Sequence, residues 1–257
     1  MNEINRTLYI PLYGKALVSR KGLFLKDETA QRLWEEVAFP LRSKAKSKWL
    51  AYFLGIRAAV FDGWLREQLQ AHPDATVLHL GCGLDSRIHR VGNGDHRWYD
   101  VDFPAVIDER RRRFSETETY RMLGTDLNES DWLSSLEGDT AIVVMEGVAM
   151  YLNPDAWRTL LTRLSERFEA VTLLVDVYTE FGAKMSKAHN PVKDVGVQTV
   201  YGVSEPADVG KLRFVCEHDM TPKRFVDELR GFERRLFSTL YGGRFAKTLY
   251  RMYEYSA

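Results

Sequence analysis

The chain has 257 residues, 45% of them hydrophobic and 28% charged, enough to bury one large core. Thirty-six basic residues balance thirty-six acidic ones, so no net field selects nucleic acid or an anionic membrane as a partner. No apolar run reaches the roughly twenty residues of a bilayer span, the start lacks a secretory pattern, and Cys82 and Cys216 match no metal or redox spacing, which together predict a soluble cytoplasmic protein without a metal centre. The run Arg110-Arg111-Arg112-Arg113 is the one dense charge cluster, read here as a solvated helix face following Glu109.

In chain order, Asp27 caps a predicted helix whose apolar residues Ala30, Leu33, Trp34, Val37 and Ala38 recur at helical spacing before Pro40. A second helix is expected over 50–69, with Leu50, Phe53, Leu54, Phe61, Trp64 and Leu65 along one face. At 100° per residue, Arg57 falls in the middle of that face. A buried guanidinium is costly unless something negative meets it. Its partner is a protein carboxylate, water reached by snorkelling past Phe53 and Trp64, or the carboxylate of a ligand, which the planar fork of arginine suits.

Val77, Leu78 and Leu80 then form a short apolar run that stops at Gly81-Cys82-Gly83, as a buried parallel strand does when its backbone turns sharply beneath a ligand. Glycine suits both positions because it accepts positive φ and admits close approach. A crossover helix is expected over 84–91. Trp98-Tyr99-Asp100-Val101-Asp102 reads as a second strand ending in carboxylates, about twenty residues on, the spacing at which an α/β nucleotide fold holds a ribose diol. Pro104 opens the next helix, residues 120–123 form a third strand, and Asp126 after it is either the cap of a helix containing Trp132 and Leu136 or a ligand contact.

The fourth strand, Thr140-Ala141-Ile142-Val143-Val144-Met145, runs into Glu146-Gly147, and a carboxylate emerging from a buried strand beside a glycine marks a site. Asn153 and Pro154 start an amphipathic helix, and residues 171–177 form a fifth strand with Asp176 near its end. Over 178–210, glycines and prolines break any period, which predicts an irregular lid or binding loop. Lys184, Lys187, His189 and Lys193 make that loop locally basic. A sixth strand (213–217), a helix opened by Thr221-Pro222 and a final strand (249–255) complete the pattern.

Alternating strands and helices imply an α/β, Rossmann-like sheet, seven-stranded and mostly parallel, with helices on both faces. One domain is expected over 1–257, comprising an N-terminal helical segment (1–74), a cofactor-binding core (75–177), the lid (178–210) and C-terminal strands and helix (211–257). A nicotinamide dehydrogenase would need a third glycine where Leu84-Asp85-Ser86 stands, and no Tyr-x-x-x-Lys pair is present. Two glycines, strand-end acids and a buried arginine instead describe a ligand with a ribose, a base and an amino-acid end: S-adenosylmethionine.

Three segments, Leu80-Gly81-Cys82-Gly83-Leu84-Asp85-Ser86-Arg87, Tyr99-Asp100-Val101-Asp102-Phe103-Pro104 and Glu146-Gly147-Val148-Ala149-Met150-Tyr151-Leu152, resemble successive signatures of the leucine carboxyl methyltransferase superfamily, which includes the tetracenomycin-type polyketide O-methyltransferases. The resemblance covers residues 50–176 well and the ends loosely. It implies an S-adenosylmethionine-dependent O-methyltransferase acting on a carboxylate or hydroxyl of a small polyketide-like molecule or a peptide. A non-catalytic cofactor sensor or partner-binding module is the alternative. By the same resemblance Arg57 holds the methionyl carboxylate; Gly81, Cys82 and Gly83 lie against the cofactor; Asp102, with Asp100 as second candidate, takes the ribose. Asp126 and Leu127 address the adenine, and Glu146 faces the ammonium or sulfonium. A carboxylate acceptor needs no base. For a hydroxyl, Tyr151, His189 and Asp176 are the candidate proton acceptors.

Overall fold

The computed structural model describes residues 7–41, 43–92, 94–189, 199–203 and 205–257, with the side chains of 43–44 and 187–189 outside that description. Seven strands form one sheet: β1 (Thr76–Leu80), β2 (Trp98–Asp102), β3 (Tyr120–Gly124), β4 (Thr140–Met145), β5 (Ala170–Tyr178), β6 (Arg213–His218) and β7 (Tyr250–Ser256). Their order is β3-β2-β1-β4-β5-β7-β6. The first five pair in parallel, and β7 runs antiparallel to both β5 and β6. The strand order reverses between β1 and β4, and a doubly wound sheet opens its ligand crevice at the carboxyl ends of the strands flanking such a reversal.

Helices cover both faces: α1 (Tyr9–Arg20), α2 (Glu28–Val37), α3 (Lys48–Ala71), α4 (Arg87–Val91), α5 (Pro104–Arg111), α6 (Asp131–Ser134), α7 (Pro154–Arg167), α8 (Glu180–His189), α9 (Lys223–Val226), α10 (Gly231–Leu240) and α11 (Arg244–Lys247). Side chains alternate across a strand, so Val77, Ile142, Val144, Leu174 and Met252 pack against α1, α2, α3 and α10. Leu78, Leu80, Val143, Leu173 and Val175 pack on the other face against α6 and α7. Glu146 follows Val144 by two residues, His79 follows Val77 by two, and Arg57 descends from α3, so all three meet on the face of the N-terminal helices. The fold thereby brings charge into one layer.

The strands follow the sequence reading closely, β2 and β4 to the residue, and Asp27 caps α2 by accepting from the Ala30 amide at 2.8 Å. Three expectations change. Within the expected N-terminal helical segment (1–74), no periodicity marks α1 as a separate helix: eight of its twelve residues are buried, leaving no polar face to set a period. Helix α4 begins at Arg87, because residues 84–86 continue the turn after β1. Part of the expected irregular lid is helix α8. Gly182 there is a contact requirement rather than a break, since a Cβ would lie 2.0 Å from the Leu249 carbonyl oxygen. Lys193 and the rest of 190–198 fall outside the described residues.

Candidate active site

The floor is the turn after β1. Gly81 and Gly83 have φ of +67° and +53°, and a Cβ on Gly81 would lie 2.2 Å from Val148 Cγ2, so neither position accepts a side chain without strain. Asp102, at the end of β2, accepts from the Gly83 amide through Oδ2 and from the Phe103 amide through Oδ1, both at 2.8 Å. Burial pushes its pKa up to about 6 in spite of both hydrogen bonds. Asp102 lines the cavity above the floor.

Asp100, the second candidate for the ribose, is walled off. It accepts from Trp98 Nε1 (2.9 Å) and the Tyr120 hydroxyl (2.5 Å), lies 3.1 Å from His79 Nδ1 and pairs with Arg110. Burial opposes its charge, but Arg110 and these hydrogen bonds outweigh it and hold the carboxyl far below the usual range. Asp100 braces the floor instead, since Arg110 also donates to the Gly83 carbonyl at 3.0 Å. Arg110 is fully buried, so the arginine run is not one solvated face; Arg111, Arg112 and Arg113 alone remain near the surface, paired with Glu109, Glu116 and Glu36.

A charged wall stands beside the floor. Arg57 Nε donates to Glu146 Oε1 (3.1 Å), and Nη1 donates to Asp176 Oδ2 (2.8 Å) and the Tyr250 hydroxyl (3.1 Å). Of the three partners considered for this arginine, the structure supplies protein carboxylates, while the side chain still borders the cavity. Burial opposes the guanidinium charge, but Asp176 and Glu146 prevail and raise its pKa. Glu146 also pairs with Arg87, and Lys15 Nζ lies 3.9 Å from it and 2.7 Å from Asp85. Those cations overcome burial and hold Glu146 well below the usual carboxylate range. Asp176 is fully enclosed: it accepts from the Gly147 amide (2.6 Å) and the Tyr250 hydroxyl, and burial pushes its pKa upward. It is absent from the cavity wall and reaches it only through the Tyr250 hydroxyl, which donates to it and lines the cavity.

The cavity has a volume of about 980 Å³, at the top of the range for small-molecule sites. Asp126 and Leu127 border it; Asp126 caps no α6 amide but accepts from Asn128, through both its backbone and its side-chain nitrogen. The lining also includes apolar and aromatic side chains, Leu50, Phe53, Tyr178, Leu240, Tyr241 and Leu249, with Phe53 packed against Tyr241. Tyr151 borders the cavity, and burial raises its pKa, so its hydroxyl stays protonated at neutral pH. His189 ends α8, and its side chain lies outside the described residues. Cys82 is buried in the floor with its thiol pKa pushed up by burial, which makes it inert.

Lys15 was not singled out in the sequence. It is 3% exposed, pairs with Asp85 and lines the cavity; at the sequence level it hid in a helix that showed no amphipathic period.

The glycine turn, the acid ending β2, a wall carrying both charges and the antiparallel β7 define an S-adenosylmethionine-dependent methyltransferase, with donors and acceptors suited to the ribose and the zwitterionic end of that cofactor. The sequence profile of the leucine carboxyl methyltransferase family matches residues 4–165. The tetracenomycin polyketide synthesis O-methyltransferase TcmP of Streptomyces glaucescens is 31% identical over 244 residues, 91% of this chain and 89% of that one. The S-adenosyl-L-methionine-dependent methyltransferase dpfgK of Gibberella zeae is 26% identical over 182 residues, 65% and 61% of the two chains. Among solved structures, magnesium protoporphyrin IX methyltransferase of Synechocystis PCC 6803 with bound S-adenosylhomocysteine shares the fold, with a TM-score of 0.51 at 13% identity over 89% of this chain and 94% of that one. The chain belongs to the leucine carboxyl methyltransferase family. Among the described residues no helix is long and apolar enough to cross a membrane.

Proposed function

We propose that this enzyme methylates an oxygen of an apolar, aromatic, polyketide-like small molecule, with a carboxylate or an acidic phenol as the reacting group. The observation that carries the reading is the mixed lining of the cavity: beside the glycine turn and the charged wall, its wall includes an aromatic cluster in which Phe53 packs against Tyr241 and Tyr250, and Tyr178 against Tyr250. The similarity to TcmP, a polyketide O-methyltransferase by name, points the same way.

The cofactor, when bound, supplies an electrophilic methyl group and its own leaving group. The residues divide the remaining work. Asp102 would accept from the ribose hydroxyls, Lys15 and Arg57 would meet the carboxylate, Glu146 the ammonium, and Asp126 with the Leu127 backbone the adenine. The turn at Gly81 and Gly83 would admit the cofactor close to the main chain. Residues 75–177 would then be the cofactor-binding core, and α8 part of the acceptor-side cover. Alignment of acceptor oxygen and methyl group by rigid walls contributes up to about 7–11 kcal/mol in favourable cases.

Proton removal has no evident agent among the described residues. His79 lies 3.1 Å from both Asp100 and Arg87 Nη1, and burial lowers its pKa. Tyr151 holds its proton and is suited to donate a hydrogen bond to an acceptor oxygen. An acceptor already ionised at neutral pH fits this inventory. The test is transfer of labelled methyl to polycyclic aromatic carboxylic acids, to their phenolic analogues and to peptides with a free terminal carboxyl. The proposal expects turnover of the aromatic acids above the peptides; turnover of peptides alone would refute it.

A further inference from the structure

A second cluster of reactive side chains lies at the far edge of the sheet, away from the cavity. The pairing of β6 with β7 shifts register between Phe214 and Cys216, leaving Val215 as the extra residue of a bulge. Without it, Phe214 and Cys216 would share a face. With it, Phe214 packs with Tyr253 and Tyr255 on one side, whereas Cys216 comes opposite Glu254 on the other. A bulge re-aims side chains in this way. His218 follows on the same face as Cys216, so the edge presents a thiol, an imidazole and a carboxylate together.

The distances are 3.5 Å from Cys216 Sγ to His218 Nε2, 3.6 Å from Sγ to Glu254 Oε2 and 2.5 Å from Nε2 to Oε2. Tetrahedral zinc with bonds of about 2.3 Å to sulfur, 2.05 Å to nitrogen and 2.0 Å to oxygen separates sulfur from nitrogen by ~3.6 Å, sulfur from oxygen by ~3.5 Å and nitrogen from oxygen by ~3.3 Å. Two edges of the coordination triangle are therefore already in place, and the third needs His218 and Glu254 to part by under an ångström.

We propose that Cys216, His218 and Glu254 bind a divalent transition metal, zinc by their mixture of thiolate, imidazole and carboxylate, with water in the fourth position. On binding, the Cys216 thiol releases its proton to solvent, and His218 gives up the Nε2 proton it donates to Glu254, either to solvent from the imidazolium or by moving to the Nδ1 tautomer; the freed Nε2 lone pair turns to the metal, and three metal–ligand bonds replace the hydrogen bonds among the three side chains. The ion would clamp β6 to β7, the strand that also carries Tyr250 into the charged wall. Cys216-x-His218 alone has no recognised spacing; the third ligand comes from the neighbouring strand, and a bulge brings it into line.

The test is titration of tag-free, chelator-treated protein with cobalt(II), followed by zinc. One equivalent of cobalt is expected to produce a thiolate-to-metal charge-transfer band and intense tetrahedral visible bands, both abolished by zinc. Cys216→Ser should remove the charge-transfer band, and His218→Ala and Glu254→Gln should each weaken binding at least about tenfold. Zinc should raise the melting temperature of the wild type and leave that of Cys216→Ser unchanged. Retained S-adenosylhomocysteine binding certifies that each variant is folded. Absence of the charge-transfer band at stoichiometric cobalt, or its persistence in Cys216→Ser, would overturn the proposal.

Discussion

Asp102→Asn should stabilise the ligand-free protein while weakening cofactor binding. Burial raises the Asp102 pKa from 3.8 to about 6. Between those values the folded state keeps a proton that the unfolded chain has released, so stability falls as pH rises through this window and levels off above it. At about 1.36 kcal/mol per unit, the carboxylate costs about 3 kcal/mol at pH 8. Partial solvent contact trims this, and the asparagine leaves either the Gly83 or the Phe103 amide without its acceptor, a loss of about 1 kcal/mol. A net gain of about 1–2 kcal/mol at pH 8 corresponds to a melting temperature higher by roughly 3–6 °C. At pH 4 the electrostatic cost has largely gone, so the variant should be no more stable there than the wild type. Thermal melts at both pH values check this, and a variant no more stable at pH 8 than at pH 4, relative to wild type, would show that the Asp102 carboxylate carries no burial cost.

The same ionisation predicts that S-adenosylhomocysteine affinity, measured by calorimetry, falls about tenfold per unit as pH drops below about 6, because a protonated Asp102 accepts poorly from a ribose diol. Arg57→Ala leaves Glu146 and Asp176 facing each other without their shared cation, and urea unfolding should show a loss of about 3–5 kcal/mol. Adding Asp176→Asn should recover part of that loss. Lys15→Met should reduce S-adenosylhomocysteine affinity at least about tenfold in a protein that still melts cooperatively, since Asp85 keeps Arg90 at 2.7 Å. An unchanged affinity would remove Lys15 from the cofactor's contacts.

The sheet was legible because its strands are short apolar runs punctuated by glycine and charge. Val77 to Leu80 before Gly81, and Ala141 to Met145 before Glu146, announce both the strand and the end at which ligands bind. Arg57 was legible as an anomaly, but the identity of its partners was not: Glu146 and Asp176 lie 89 and 119 residues away and meet it only when α3 is laid across the sheet. Asp100 and Asp102 look equivalent in sequence, yet one is enclosed by four partners and the other faces the cavity, a distinction made by Trp98, Tyr120 and Arg110. Lys15 and the Cys216, His218 and Glu254 cluster were missed for related reasons. One sits on a helix without a polar face, and the other depends on a bulge that no periodicity rule detects.

The most direct test of the account is a crystal structure of the protein with S-adenosylhomocysteine. It should place the ribose hydroxyls on Asp102, the amino-acid end between Lys15 or Arg57 and Glu146, and the adenine beside Asp126 and Leu127, with the aromatic part of the cavity left for the acceptor. A ligand bound elsewhere, or one that leaves Asp102 uncontacted, would contradict the account.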